Sequence, residues 1–248
     1  AVGVGDDLTF RISECLAAGA TFVCVDVAHG HHIMMKEALR TIRSTLGFED
    51  IHIMAGNVAT LKAINDLADW GANSVRCNIG GGSICSTRVQ TGHGHPGLQT
   101  ILDCAFTDRD VKIIADGGIR NSGDIVKALA AGADAVMLGS LLSGTKETPG
   151  EVYTRQDGTK YKTYRGMASK EAQVDWRGKY SSFEGVSSTV PYRGKVRNVL
   201  MDLDRGIRSG LSYSGVRTIK ELRQTAGFVR QTSAGLGESR THITTRKW

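Results

Sequence analysis

The residues 80 to 88 read G-G-G-S-I-C-S-T-R, which sets Cys85 behind three glycines and a serine, with Thr87 two positions on. A thiol at a loop or helix start has its pKa lowered by nearby N–H dipoles, and its thiolate is a strong nucleophile. A cysteine in such a place also reads as a buried structural thiol, which is the reading for Cys15, Cys24, Cys77 and Cys104. For Cys85 the local sequence leaves both readings open. The five cysteines are odd in number and form no C-x-x-C pair, so neither a disulfide framework nor a zinc cluster is expected. Glu184, in S-S-F-E-G-V-S-S, reads either as a general acid or base on a loop or as a solvated carboxylate.

A second set of residues suits an anion. D-G-G-I at 116 to 119 and L-G-S at 138 to 140 end consecutive strand-like runs, where exposed backbone N–H groups and a helix start can hold a phosphate. Asp116 is placed to accept hydrogen bonds from a ribose diol, and Ser140 and Ser83 offer hydroxyls to a phosphate; the alternative is that these glycines only shape loops. Asp26 closes another strand and reads as a solvated turn carboxylate or as a ligand for a second ribose. Histidines cluster in H-G-H-H (29 to 32) and H-G-H-P (93 to 96), but without helical H-x-x-x-H spacing. Surface or cofactor-facing histidines are the better reading than a metal site.

The elements that must position these residues alternate. Strand-like runs at A-V-G-V, 21 to 27, 51 to 58, 73 to 79, 111 to 119 and 134 to 140 are separated by helix-like segments. Near-continuous β-branched runs between helices indicate an α/β fold with parallel strands covered on both faces. Three helices end in A-G-A, G-A and A-G-A at residues 18 to 20, 71 to 72 and 131 to 133, where glycine permits a left-handed stop. All the unusual chemistry falls at the carboxyl ends of strands, as in a TIM (β/α)8 barrel, whereas a doubly wound sheet would concentrate its glycines after the first strand. Six strands fall short of eight, so the first two strands of the barrel are expected to lie outside this chain or in a partner segment.

Beyond residue 140, E-V-Y-T-R-Q-D-G-T-K-Y-K-T-Y-R-G-M predicts a hairpin turning at D-G. Residues 168 to 194 are polar and poorly periodic, which predicts a mobile flap over the site. Helices are expected over V-R-N-V-L-M-D-L-D-R-G-I-R-S-G-L and T-I-K-E-L-R, and an extended tail from Ser233 to Trp248. Residues 1 to 248 thus read as one catalytic domain. The net charge of +6 lies largely in the second half and suits a nucleotide phosphate; with no basic helix interleaved with aromatics, nucleic-acid binding is not expected. No apolar run reaches the roughly 20 residues of a membrane span and no secretory signal is visible. A cytoplasmic protein is the expectation.

Taken in order, A-V-G-V-G-D, D-V-A-H-G, M-A-G-N-V-A-T, I-G-G-G-S-I-C-S-T-R, I-I-A-D-G-G-I-R-N-S-G-D, D-A-V-M-L-G-S, Y-R-G-M and V-P-Y-R-G resemble the IMP dehydrogenase and GMP reductase family across nearly the whole chain. The resemblance implies that Cys85 attacks C2 of a purine nucleotide (IMP, GMP or XMP) while Thr87 and Glu184 move protons. It implies that Ser83, Asp116, Gly117, Gly118, Gly139, Ser140, Tyr164 and Arg76 hold the ribose phosphate or line the site, and that Gly166, Met167 and Ala168 read the base. Asp26, Ala28, His29 and Asn57 would meet NADP(H) or NAD(H). A potassium ion would take backbone carbonyls of Gly80, Gly82 and Cys85, with Glu238 supplied by a neighbouring subunit of a homotetramer. No stretch resembles the paired CBS regulatory module of many dehydrogenases.

The family runs two reactions on one adduct, and the lid distinguishes them. Dehydrogenase lids usually carry an adjacent Arg-Tyr pair that activates water. Here fourteen residues separate G-M-A-S from E-G, and Arg177 and Tyr180 are not adjacent. That favours GMP reductase, as do D-V-A-H-G and G-H-G-H-P-G-L-Q. The D-G-G to L-G-S-L-L stretch and S-A-G-L-G-E-S look more like a dehydrogenase, and Ser181 and Phe183 replace the lid residues that read guanine in animal-type reductases. IMP dehydrogenase is therefore the alternative, and a non-catalytic nucleotide-binding or assembly subunit stands outside both.

Overall fold

The structure is a computed structural model, which describes residues 1 to 239 except 46, 49 and 181 to 183, and leaves the Arg177 side chain undescribed. Its first part alternates helix and strand: α1 (Leu8–Ala17), β1 (Phe22–Asp26), α2 (Ile33–Ser44), β2 (His52–Val58), α3 (Leu61–Asp69) and β3 (Ser74–Cys77). Two helices, α4 (Thr87–Thr91) and α5 (Gly97–Cys104), then precede β4 (Lys112–Asp116), α6 (Ser122–Ala130), β5 (Ala135–Met137) and α7 (Ser140–Ser143). The five strands form one parallel sheet in the order β1-β2-β3-β4-β5. Its register pairs Val25 with Ala55, Ala55 with Val75, Val75 with Ile113 and Ala115 with Val136.

Side-chain alternation explains the two faces of this sheet. Val23, Val25, Ile53, Ala55, Val75, Cys77, Ile113 and Ala115 are buried in one cluster with Met35, Leu39, Ile42, Ile64, Leu67 and Ile101 of the covering helices. The intervening positions carry Cys24, Met54, Arg76, Ile114 and Asp116, so the opposite face is where polar groups gather. Each fully buried Leu or Ile of the helix side contributes about 1.5–3 kcal/mol. That apolar layer holds the strands whose ends carry the chemistry.

The first expected strand is reduced. A-V-G-V makes a single parallel bridge, Val2 to Val25, instead of a sixth strand. The described sheet is thus open, five strands and a bridge, and not a closed barrel of eight. The glycine stops are present as expected: Gly19, Gly71 and Gly132 have φ of +91°, +113° and +120°. At Gly132 a Cβ would also lie 2.5 Å from the Cβ of Ala105. We expect Gly132→Ala to destabilise the fold by about 1–3 kcal/mol through that strained backbone alone, read as a lowered midpoint in thermal unfolding.

The second part folds around a smaller antiparallel sheet. The hairpin expected at D-G is β6 (Tyr153–Thr154) and β7 (Lys160–Arg165), and a third strand, β8 (Ser187–Pro191), joins β7. Between β7 and β8 lies α8 (Lys170–Arg177), capped by the Ser169 hydroxyl, which accepts from Ala172 N–H. The segment read as a poorly periodic flap therefore contains a helix and a strand: an Ser cap and β pairing specify them where apolar periodicity does not. Helices α9 (Val196–Tyr213) and α10 (Ile219–Thr225) follow where expected, α10 closed by a capping box of Thr218 and Glu221. A short helix, α11 (Ser233–Glu238), capped by Thr232, corrects the start of the extended tail; residues 240 to 248 lie outside the described residues. Among the described residues no helix is long and apolar enough to cross a membrane.

Candidate functional site

The glycines before Cys85 are explained by crowding. A Cβ on Gly81 would lie 1.9 Å from Asn78 Nδ2, and one on Gly117, whose φ is +83°, would lie 2.9 Å from the carbonyl carbon of Gly81. Only glycines let the loop after β3 and the loop after β4 run this close. Asn78 ties them: its Nδ2 donates to the Asp116 carbonyl at 2.8 Å, and its Oδ1 accepts from Arg88 at 3.1 Å. Arg88 also donates to the carbonyls of Ile79 (3.1 Å) and His95 (2.6 Å), closing the loop into a fixed bend.

On that bend Cys85 is exposed, while Cys77 and Cys104 are buried and Cys15 and Cys24 are half-buried. A hydrogen bond with Cys104, reinforced by burial, pushes the Cys77 thiol well up, and burial pushes up Cys24, so neither is a ready thiolate. The Cys85 thiol donates to Thr87 Oγ1 at 3.2 Å, and the Thr87 hydroxyl donates to Glu184 Oε2 at 2.7 Å. Thiol, hydroxyl and carboxylate thus form one proton path. The backbone secures it: Ser86 N–H donates to the Glu184 carbonyl at 2.9 Å, Val186 N–H to the Ile84 carbonyl at 3.0 Å, and Cys85 bridges Gly185. The expected loop carboxylate is therefore seated on the Cys85 loop.

The path opens into a cavity of about 490 Å³ whose wall includes Asp26, Ala28, Asn57, Arg76, Gly80, Gly82, Asp116, Met167, Ala168, Gln173 and Trp176. Its electrostatic centre is Arg76, only 12 % exposed, which pairs with Asp26 at 2.7 Å and with Asp116 at 2.8 Å. Burial works against the guanidinium charge, but the Asp116 and Asp26 carboxylates outweigh it and hold its pKa above the ordinary value. Asn57 is the extra residue of a bulge between Gly56 and Val58, and its Nδ2 donates to Asp116 at 2.7 Å and to the Asn78 carbonyl at 2.9 Å. Among the described residues the donors to the Asp116 side chain, from Asn57 and Arg76, converge on Oδ2.

The remaining expected residues divide. Gly118 lies with Gly117 on a neighbouring cavity of about 350 Å³ behind the loop. Tyr164 reaches Gly139, where a Cβ would lie 2.9 Å from the phenol oxygen, and Ser140 opens α7 beside it. The Gly166 carbonyl accepts from Ser169 N–H at 2.9 Å and that of Ala168 from Gln173 at 3.1 Å. Ser83 and His29 are exposed and do not line the cavity, and Glu238 is exposed on α11 away from its wall. Ser181 and Phe183 lie outside the described residues.

The histidine clusters have structural roles. His31 meets Asp66 at 2.7 Å, the His32 ring caps α2, and His95 meets Thr100 at 3.0 Å. Among the described residues no group of three His, Cys, Asp or Glu side chains could hold a metal ion. Sequence reasoning missed Asn78, Arg88, Gln173 and Trp176. Only Asn78 left a signal, as a polar residue at the end of an apolar strand. A second space of about 920 Å³ shares Asp26, Val27, Met167 and Trp176 with the first and is otherwise lined by residues 1 to 5, Asp7 and Arg11. Asp26, 45 % exposed, stands on that shared wall.

A parallel β/α sheet that gathers a thiol hydrogen-bonded through a hydroxyl to a carboxylate, beside a charged cavity, at the carboxyl ends of its strands has the arrangement of an α/β enzyme. The chain belongs to the IMP dehydrogenase / GMP reductase family, whose domain model matches residues 1–242. It is 44 % identical to the inosine-5'-monophosphate dehydrogenase of Nitrosopumilus maritimus, over 98 % of this chain and 53 % of that protein. The enzyme of the same name from Aquifex aeolicus is 46 % identical, over 98 % of this chain and 51 % of that protein. A crystal structure of a cysteine-to-alanine variant of GMP reductase from Trypanosoma brucei, in complex with guanosine 5'-monophosphate, superposes with a TM-score of 0.94. That protein is 40 % identical, and the match covers 98 % of this chain and 52 % of that one. The chain spans about half the length of these relatives.

Proposed function

We propose that the chain carries the catalytic site of a purine nucleotide oxidoreductase, and that its reaction is reduction of GMP to IMP and ammonia. The observation that carries this reading is the path from Cys85 through Thr87 to Glu184. The thiol proton passes along it to Glu184, and the thiolate adds to C2 of guanine. The same proton returns through Thr87 to the 2-amino group, which leaves as ammonia while the S–C2 bond remains. A reduced nicotinamide dinucleotide, when bound beside Asp26, supplies the hydride that C2 accepts. Breaking the S–C2 bond then restores the Cys85 thiolate and releases IMP.

Each remaining residue serves binding. Asp116 takes the ribose hydroxyls on the oxygen that Asn57 and Arg76 leave, and the backbone at Gly118 and Gly139, with Ser140 and the Tyr164 hydroxyl, takes the phosphate. Met167, with the backbone at Gly166 and Ala168, meets the base. Ser83 and His29 contribute only after the exposed loops that bear them close on ligand. A potassium ion on the Gly80, Gly82 and Cys85 carbonyls, completed by Glu238 of a second subunit, belongs to a homotetramer of the whole protein.

The lid favours the reductase. Arg177 and Tyr180 are not adjacent, and Glu184 already sits on Thr87, suited to a proton for departing ammonia rather than to activation of water. The names of the relatives at 44 % and 46 % identity favour the second reading, IMP dehydrogenase, in which the adduct of IMP gives hydride to the dinucleotide and water then cleaves the thioester-like bond. The whole protein, assayed at 340 nm, decides: with GMP and NADPH we expect absorbance to fall and ammonia to appear. A rise with IMP and NAD, and no change with GMP, would establish the dehydrogenase. Silence in both would leave a binding subunit.

A further inference from the structure

The antiparallel sheet that delivers Tyr164 and the Glu184 segment is held to the parallel sheet in an unusual way. No residue of β6, β7 or β8 belongs to either apolar core. Among the described residues the one buried side chain of these three strands is a lysine, Lys162 of β7, 1 % exposed. Among the described residues its ammonium meets no carboxylate. It donates to the carbonyl of Thr145 at 3.2 Å, to Thr148 Oγ1 at 3.1 Å and to the carbonyl of Thr148. A buried charge is costly unless its donors are all met, and a lysine has three donors for these three acceptors.

Those acceptors belong to the turn that leaves α7, the helix opened by the Gly139–Ser140 loop. Lys162 and Tyr164 are two apart on one strand and so share a face. The turn is stitched to the end of β8 as well, by Lys146 N–H to the Gly194 carbonyl at 2.7 Å and Arg193 N–H to the Gly144 carbonyl at 2.8 Å. Slipping β7 by one residue would carry both side chains to the other face. We propose that Lys162 is a positioning residue for the phosphate grip: its ammonium, seated in the carbonyls of the turn 145 to 148, fixes β7 in register and depth so that the Tyr164 hydroxyl stands over Gly139.

This deepens the proposed function and rests on its nucleotide site. Lys162→Met keeps the length of the side chain and removes the charge. In the whole protein we expect it to weaken equilibrium binding of GMP and of IMP about tenfold or more and to raise the nucleotide KM alike, with kcat changed far less. The phosphorus-31 resonance of bound nucleotide should shift towards its free position. Tyr164→Phe should weaken binding too, and adding it to Lys162→Met should cost little more, since both changes remove one contact. Thr148→Val, which deletes one of the ammonium's three acceptors together with the hydroxyl's own bonds to the Ser143 and Thr145 carbonyls, should give a smaller loss in the same direction, and it serves if Lys162→Met does not fold. Unchanged binding and phosphorus resonance in folded Lys162→Met or in Thr148→Val, or full additivity with Tyr164→Phe, would overturn the inference alone. Failure of the unaltered protein to bind either nucleotide would overturn both it and the function on which it rests.

Discussion

Cys85→Ser is expected to abolish turnover, lowering kcat by about 10⁴-fold or more, the scale on which removal of an enzymic nucleophile acts, while nucleotide binding stays nearly unchanged. The two halves of this result have separate causes. Serine keeps the small polar side chain on a bend held by Asn78 and Arg88, so the cavity keeps its shape. In the proposed reading the grip on phosphate and ribose lies in other residues. A hydroxyl, however, is far harder to deprotonate than a thiol, and the Thr87 to Glu184 path at 2.7 Å takes up a proton without making an alkoxide accessible at neutral pH. Single-turnover mass spectrometry with GMP checks the same point directly: a nucleotide adduct on Cys85 in the parent protein and none in Cys85→Ser. Retained turnover in the variant would remove the covalent route.

Glu184→Gln carries the second largest expected effect, a fall in kcat of about a hundredfold or more, in the range typical for loss of a general acid or base. The amide preserves size and leaves the backbone bonds from Ser86 and Val186 intact, so the segment stays seated. What it removes is the acceptor for the Thr87 hydroxyl proton and the later donor to the leaving amine. The nucleotide KM should therefore change much less than kcat, and the loss should be smallest for a substrate analogue whose C2 leaving group departs without a proton. Stopped-flow absorbance that separates adduct formation from hydride transfer gives the check: the first step should slow and the second should not. An equal slowing of both would place Glu184 in binding and not in proton transfer.

These predictions could be framed because the reactive groups are local in the chain. Cys85, Thr87 and their glycines occupy eight consecutive residues, and the order of the strand-end motifs already implied a parallel sheet with its chemistry at one end. Asp26 and Asp116 were legible for the same reason, each closing an apolar run. The helix stops at Gly19, Gly71 and Gly132 were legible because a left-handed turn singles out glycine whatever surrounds it.

Other features depend on partners far away in the chain. Glu184 lies 97 residues from Thr87, and nothing in S-S-F-E-G-V-S-S says that its carboxylate comes to rest on that hydroxyl. Arg76 reads as one polar position in a strand; its pairing with Asp116 of the neighbouring β4 and, across β2, with Asp26 of β1 exists because parallel strands bring their alternate side chains to one face. The flap read as irregular because its helix is specified by a cap and its strand by pairing with β7, neither of which shows as apolar periodicity. Lys162 was hidden most completely, since K-Y-K-T-Y-R looks exposed along its whole length and it is the Thr145 and Thr148 carbonyls with the Thr148 hydroxyl that make burial of its charge tolerable. The sequence by itself thus determined the family and the strand ends at which the candidate groups stand, because backbone preference and alternation act over a few residues. Which carboxylate serves the thiol, which cation holds the two aspartates and which lysine seats the outer sheet were decided only by the tertiary structure, because hydrogen bonds and ion pairs depend on distances that chain proximity does not set.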